Sequence, residues 1–562
     1  MKQIGSIIFL WLLLIAFGFS GVRAASIAEP ADGGIAAAPG APRYDIGSPT
    51  LADLWVDPAN GDDGNSGATR EQALRSVTEA WNRVPSGATL NGTGYRIMLV
   101  RGSYAEAALP NYLELRRGTV QFPIILQAAD GPGSAILQGD LNIANSSYIY
   151  LIDLDIAPLP PGQSVPAGDT LHCELCDHFL VRGVRLNGGV YVPGPQCDDP
   201  NNMIAHDNFK VNQSQYVYVE DSDIAGACDN AVDFVAVQYG HIVGNRIHNA
   251  QDWCMYQKGG SAYFRVEGNE FYDCGTGGFT AGQGTGFQFM TAPWLHYEAY
   301  DIKVVNNLIH DTAGAGLGVN GGYNILLAYN TLYRVGARDH VLEIVHGRRG
   351  CDGGDAARCQ PLLSMGGWGL TGDEQQFIPN RNVYIYNNII YNPAGYQSSQ
   401  QFDIRGAVTP PAGSNAPNPA FADDGVDIRG NLIWNGPADL PLGIEDSSQG
   451  CQATNPTCNA DQLLADNAIN TVEPQLANPR CGDFHPLAGG SVFGVNVPTF
   501  VLPAFAGGDQ PTTPPVPQGM LENVVGIDRA GATRGTSSPP GAYIGAATTA
   551  GGCRYVPLVV RM

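Results

Sequence analysis

Along this chain, apolar and polar residues alternate in short runs, and each run ends in a polar turn. Tyr216-Val217-Tyr218-Val219, Tyr263-Phe264-Arg265-Val266, Ile302-Lys303-Val304-Val305 and Tyr323-Asn324-Ile325-Leu326-Leu327 are such runs. Period-two alternation predicts short strands, and the glycine-rich stretches between them predict tight turns. A phrase of an Asn, a variable residue and an apolar residue follows the runs. It stands at Asn245-Arg246-Ile247, Asn269-Glu270-Phe271, Asn307-Leu308-Ile309, Asn330-Thr331-Leu332, Asn388-Ile389-Ile390 and Asn431-Leu432-Ile433, with an imperfect copy at Asp223-Ile224. From Asp223 onward the spacings are 22, 24, 38, 23, 58 and 43 residues, a period of 22 to 24 with insertions in three gaps. Such a period predicts a solenoid, in which each repeat buries its apolar face only against its neighbours. A regular Leu ladder and apolar residues at helical spacing are both missing, which selects an all-β parallel β-helix. Asn suits the turn because it tolerates αL geometry and bonds nearby backbone. Stacked on like turns, such side chains form a ladder.

The flanks read differently. Residues 1–24 have the make-up of a secretory signal: Lys2, an apolar core from Ile7 to Phe19, and Val22-Arg23-Ala24 as cleavage site. A retained N-terminal anchor is the competing reading. The apolar run is too short for a membrane span, and no other long apolar stretch exists. Residues 25–50 read as a disordered leader, 51–500 as the β-helix, and 501–562 as a Pro/Gly-rich linker and tail. From Glu71 to Val84, apolar Leu74, Val77, Ala80 and Trp81 predict one amphipathic helix. The first coil of a solenoid exposes apolar surface and strand edges, so this helix is expected to cap it.

Composition narrows the partners. A net charge of −23 and a pI near 4.7 exclude nucleic acid and anionic membrane as natural partners. Twelve cysteines behind a signal peptide predict disulfides and a secreted or cell-surface protein. Cys351/Cys359 and Cys451/Cys458 each bracket a short loop. Cys173 and Cys176 form a CxxC, which raises zinc or redox chemistry without the second CxxC of a zinc ribbon. Asp57, Asp62 and Asp63 lack EF-hand spacing and read as a turn rather than a Ca²⁺ loop.

Val56-Asp57-Pro58-Ala59-Asn60-Gly61-Asp62, the helix after it and Arg101-Gly102-Ser103-Tyr104 resemble the start of exported right-handed parallel β-helix proteins of the pectate-lyase-like superfamily. Glu473-Pro474-Gln475-Leu476, Gly482-Asp483-Phe484-His485-Pro486 and Gly541-Ala542-Tyr543-Ile544-Gly545 resemble their last coils. The resemblance spans roughly Leu54 to Gly545 and implies the right-handed fold. It leaves activity open, because that superfamily holds lyases, hydrolases, esterases and non-enzymes.

Repeat phase proposes the site. Lys258, Asn320 and Glu343 each lie thirteen residues past a repeat Asn, and Asp252 lies seven past Asn245. Asp233 lies ten past Asp223. Asp229, Asp233, Asp252 and Lys258 are therefore expected on consecutive coils, lining one groove. Carboxylates and a lysine suit β-elimination of a uronic-acid polymer, as in lyases of the resembled superfamily. Ca²⁺ on Asp229, Asp233 and Asp252 would neutralise the substrate carboxylate, and Lys258 would be the base. Glu343 and His346 are further catalytic candidates. Trp253, Asn320 and Arg348 are substrate-binding candidates, and Trp294, Tyr297 and Trp368 are either sugar platforms or buried aromatics. An acidic glycan bridged by Ca²⁺ to a monomeric, exported protein is the expected partner. Two alternatives stand beside the lyase. One is a non-catalytic glycan-binding or adhesion solenoid. The other is a β-helix glycosidase, with Asp233/Asp252 or Asp339/Glu343 as its carboxyl pair. The bland alternative leaves Lys258 a solvated surface residue, alone or salt-bridged to Asp252.

Overall fold

The computed structural model describes residues 39–157, 168–189, 197, 204–351, 356–370, 376–494, 500–504, 523–535 and 538–547. The signal, most of the leader and of the Pro-rich insertion 157–166, the linker at 508–520 and the tail beyond Cys553 lie outside these residues. Within them the chain is a right-handed parallel β-helix built from three sheets. Sheet I holds twelve strands from Leu51–Val56 to Asp424–Arg429. Sheet II holds twelve, from Gly102–Ala105 to Ala468–Ile469. Sheet III holds ten, from Leu113–Glu114 to Gln400–Ile404. One coil runs Gln215–Glu220 in sheet I, Asp223–Ala227 in sheet II and Val232–Val235 in sheet III, and Gln238–Val243 then re-enters sheet I.

Alternation decides what each coil buries. Val217 and Val219, Ile224, and Val232 and Phe234 from that coil all enter one continuous core. Phe179, Phe209, Phe234 and Phe264 stack edge to face through it, with centroids 6.2, 5.6 and 5.9 Å apart.

The corner from sheet I to sheet II takes two residues. The first is left-handed, as at Gly244 (φ 68°), Asn306 (φ 57°) and Asn387 (φ 56°). The second is the repeat Asn. Asn245, Asn269, Asn307, Asn330, Asn388, Asn431 and Asn467 form an unbroken buried ladder. Each Nδ2 donates to the next Oδ1 at 2.8 to 3.0 Å. Each of those oxygens also accepts the preceding backbone N–H, as Asn330 Oδ1 does from Asn307 N at 2.9 Å. The ladder continues upstream through Ser222, whose N–H donates to Asn245 Oδ1. This corrects the sequence phase by one residue. Asp223 pairs with Arg246, so the ladder position of that coil is Ser222.

The first coil also departs from expectation. The helix spans Val77–Arg83, capped by the Ser76 hydroxyl on Glu79 N at 3.0 Å, and buries Val77, Ala80 and Trp81 in the main core. It does not start at Glu71, because Leu74 pairs with Val56 as a parallel bridge and donates to Trp55 O at 2.8 Å. The Asp57 and Asp62 carboxylates accept backbone N–H groups two or three residues on, as in a turn, whereas Asp63 Oδ1 accepts from Arg75 N and Ser76 N ahead of the helix. Disulfides join Cys173–Cys176, Cys197–Cys228, Cys254–Cys274, Cys351–Cys359 and Cys451–Cys458, which removes the CxxC from zinc chemistry.

The terminal segments pack on the outside. Part of the expected leader lies on sheet I. Tyr44 stacks on Tyr218 at 4.4 Å, its N–H donates to Glu220 Oε1 at 2.6 Å, and Arg43 pairs with Asp221 at 2.7 Å. Phe500, Leu502 and Val525 cover Val305, Leu326, Ala328 and Tyr386 on the same sheet further along. The two segments meet where a Cβ on Gly40 would lie 2.6 Å from Ile527 Cδ1. Phe484 and Ala542 cover Leu308 and Tyr333 on sheet II.

Candidate functional site

The three corners differ in what they carry. Insertions at 158–170, 188–208 and 392–399 sit between sheets II and III, and insertions at 283–298, 346–380 and 405–423 between sheets III and I. Sheet III is thus the sheet that the chain both enters and leaves through long connections, while terminal segments cover sheet I and part of sheet II. Insertions on one side of a solenoid commonly border its binding face. The outer face of sheet III is the candidate site.

Its outward positions are ionisable. In strands Phe209–Asn212, Val232–Val235 and Trp253–Lys258, residues Phe209, Val211, Val232, Phe234 and Met255 point into the core. Lys210, Asp233 and Tyr256 therefore point outward, and they are register partners on consecutive coils. The same row begins with Asn142 and His172 and runs on through Thr280, Gly318, Glu343 and Asp403. Lys210 Nζ lies 2.8 Å from Asp233 Oδ2 and 2.5 Å from Asp207 Oδ2. Asp207 Oδ1 accepts from both Asn230 N and Asn230 Nδ2 at 3.1 Å.

These contacts sort the protons. Burial alone would discharge Lys210, but Asp233 and Asp207 outweigh it and hold the ammonium well above the usual lysine range. Burial likewise opposes ionisation of Asp207, yet His206 and Lys210 keep its carboxyl well below the usual range. Burial, then Asp207, pushes Asp233 up to about 6 against the pull of Lys258 and Lys210. Burial, Asp207 and Asp252 push Asp229 up to about 6. Burial also raises Asp252. The Tyr256 phenol, 3% exposed, is raised far above its ordinary value by burial and then by Asp233.

The sequence-derived candidates fall into three groups. Asp229 and Asp252 are neighbours on adjacent coils, with Asp252 N donating to Asp229 O at 2.9 Å. Asp233 belongs to Lys210. Lys258 is in register with Val235, two positions along the strand from the Asp233 row. Its ammonium donates to Gln283 Oε1 at 3.0 Å and lies 4.1 Å above the Tyr256 ring, rather than pairing with Asp252. Trp253 is on this face but 3% exposed, packed against Tyr256 and Ala315; Trp294, Tyr297 and Trp368 are buried too. Asn320 accepts from Thr280 Oγ1 at 3.0 Å. Glu343 is four strands beyond Asp233 and meets His340 Nε2 at 3.3 Å. His346 turns away, its Nε2 3.1 Å from Ala420 O, and Arg348 is exposed on an insertion.

Sequence reasoning missed Lys210, Asp207, His206 and Tyr256. The signal was present. Asp233, Asn230 and Asp229 stepped back by one 23-residue coil give Lys210, Asp207 and His206, as the observed register does. Taking Asp223 for the ladder residue hid it.

Three donor atoms of Asp169, His206 and Asp207 lie within 4.8 Å of one another, a spacing a metal ion tolerates. The Lys210 ammonium already neutralises Asp207 there. Asp229 and Asp252 are two further carboxyls side by side; burial raises both, and Asp207 and Asp252 raise Asp229 further, whereas Thr276 and Lys258 pull Asp252 down.

Residues 198–351 match the family model described as a right handed beta helix region. No curated protein matches the chain. Among solved structures, XylC in complex with xylose is 10% identical with a TM-score of 0.44, over 89% of this chain and 99% of that one. A rhamnogalacturonan lyase is 12% identical with a TM-score of 0.38, over 67% and 87%. The A-module of a mannuronan C-5 epimerase from Azotobacter vinelandii is 13% identical with a TM-score of 0.37, over 61% and 85%. Likenesses at this level do not bear on activity.

Proposed function

We propose that this is an exported, carbohydrate-active β-helix protein that cleaves an acidic glycan by β-elimination on the outer face of sheet III. The observation that carries the reading is Lys258, held by the neutral Gln283 amide and the Tyr256 ring beside a row of carboxylates and between two banks of insertions. Lys210 is unsuited to the base, because two carboxylates lock its proton in place. In its neutral form Lys258 takes the proton α to a uronate carboxylate. A carbon–carbon double bond then forms in the ring as the glycosidic carbon–oxygen bond breaks, and the leaving oxygen keeps the electron pair and takes a proton from water, which releases the chain end. A Ca²⁺ ion on Asp229 and Asp252 would, when bound, neutralise the uronate carboxylate and acidify that proton.

A glycosidase reading has one observation in its favour. The Asp229 carboxyl, raised to about 6, stands next to Asp252, as an acid beside a carboxylate would. One experiment separates the readings. The protein is incubated with acidic and neutral glycans, with and without EDTA, and unsaturated ends are followed by ultraviolet absorbance alongside reducing ends. Unsaturated ends from an acidic glycan support the lyase. Reducing ends without unsaturation make it a hydrolase, and binding without products makes it a glycan-binding solenoid.

A further inference from the structure

Two insertions that leave sheet III on different coils are zipped into one wall beside Lys258. Gly284, Thr285 and Gly286 of the first pair in parallel with Arg348, Arg349 and Gly350 of the second. Arg349 and Glu298 form an ion pair whose side chains are both fully buried. Arg349 also donates to Leu295 O at 3.1 Å, His296 O at 3.0 Å and Trp368 O at 3.1 Å, which fixes the guanidinium to the wall. Glu298 faces the other way as well. Its Oε2 accepts from Thr285 Oγ1 at 2.6 Å and from Gly259 N at 3.0 Å.

Gly259 follows Lys258. It is left-handed at φ 67°, and a Cβ there would sit 2.9 Å from Val235 Cγ1 and 3.0 Å from Thr285 Cγ2, so the chain is tightly held at this point. The tip of Lys258 is held by the same wall. Gln283 Oε1 accepts from Nζ at 3.0 Å, and the Gln283 carbonyl accepts from Arg348 N at 2.9 Å. A lysine stem is long and rotatable, so an amine that must meet one substrate proton needs such external fixing.

We propose that Gln283, together with the buried Glu298–Arg349 pair, is a positioning clamp that fixes the direction of the Lys258 ammonium over sheet III. The clamp rests on Lys258 as the base of the elimination, but its test does not need turnover. The chain has four lysines, Lys2, Lys210, Lys258 and Lys303, so modification by an amine-acylating reagent resolves each by peptide mass spectrometry. In Gln283→Leu the initial acylation rate at Lys258 should rise about fivefold, with Lys210 and Lys303 unchanged, because a hydrogen bond to the ammonium is gone. Gln283→Glu keeps an acceptor and should return the rate to the wild-type value or below. Glu298→Gln should move the rate as Gln283→Leu does; if that variant does not fold, Gln283→Leu carries the test. Where the wild type turns over an acidic glycan, Gln283→Leu should lower kcat about tenfold with KM unchanged, and Gln283→Glu should not restore it, because a carboxylate there would hold the Lys258 proton as Asp207 and Asp233 hold that of Lys210. An unchanged Lys258 rate in Gln283→Leu overturns the clamp. A wild type without turnover overturns the lyase reading, and the acylation rates still decide the clamp.

Discussion

The corner between sheets I and II and the outer face of sheet III stack side chains in the same way, one per coil, in register. At the corner, neutral asparagines each donate and accept, so every rung satisfies the next from Asn245 to Asn467. On sheet III the corresponding stack is Lys210, Asp233 and Tyr256, with Asp207, Asp229 and Asp252 alongside. A carboxylate accepts but does not donate, and like charges repel, so this stack has to be relieved by a lysine, a proton or a ligand. The ladder pairs like with like, whereas the sheet III face balances unlike groups against one another, Lys210 against Asp207 and Asp233.

That contrast is broken most severely at Asn330. Alanine there removes the acceptor of Asn307 N and Nδ2 and the donor to Val304 O and Asn388 Oδ1, all buried. The loss should be about 4 kcal/mol in denaturant unfolding, with any activity falling only as the fold does. Lys258→Ala should do the reverse, abolishing turnover by at least about a hundredfold with an unchanged melting temperature. An Asn330→Ala protein as stable as wild type would end the ladder argument. A fully active Lys258→Ala would move the chemistry toward Glu343 and His340.

Lys210→Met comes next. It strands Asp207 and Asp233 as buried carboxylates, and should cost about 3 kcal/mol at neutral pH. The cost should shrink as pH falls toward about 6, because without Lys210 the Asp233 carboxyl is raised further and takes its proton at a higher pH than in the wild type. A pH-independent cost would mean that Lys210 acts by packing rather than by charge.

The same contrast explains what the sequence made legible. The repeat Asn residues announced the ladder because one neutral residue type does one task on every coil. Sheet III carries Lys210, Asp233, Tyr256 and Thr280 at equivalent positions, so no phrase recurs to mark the row. Only exact phase reveals it, and Asp223 in place of Ser222 shifted that phase by one. The wall around Lys258 was not legible at all. It joins residues of two insertions through Glu298 and Arg349, and insertions obey no period. The Cys351–Cys359 bond was readable because it closes a short local loop.

Sheet III also breaks its own alternation at one interior position. Gln257 points inward between Phe234 and Ala281, fully buried, with no partner for either amide atom among the described residues. An unsatisfied buried amide is a cost that the asparagine ladder avoids. Gln257→Leu, similar in size and apolar, should therefore stabilise the protein by about 1 kcal/mol in denaturant unfolding. Destabilisation would show that an ordered water satisfies the amide.

The smallest effect is the most diagnostic of the sheet III face. Burial, Asp207 and Asp252 push the Asp229 carboxyl up to about 6 in the folded protein, against about 3.9 for an aspartate in an unfolded chain. A carboxyl with a raised folded value binds more protons folded than unfolded between those limits. Stability should therefore fall as pH rises from about 4 to about 6, and the cost should persist above it. Asp252→Asn removes one of the neighbouring charges that oppose the ionised form of Asp229. Without Ca²⁺ it should flatten that pH slope and raise stability at neutral pH by about 0.5 kcal/mol, a modest gain because both groups are partly exposed. With Ca²⁺ the order should reverse. The wild type gains stability from the ion, whereas Asp252→Asn has lost a ligand and gains little. Melting curves of both proteins across this pH range, with Ca²⁺ and with EDTA, read the two effects together. If the curves shift in parallel under both conditions, Asp229 and Asp252 act as separate surface charges, and the cation site must be sought elsewhere on sheet III.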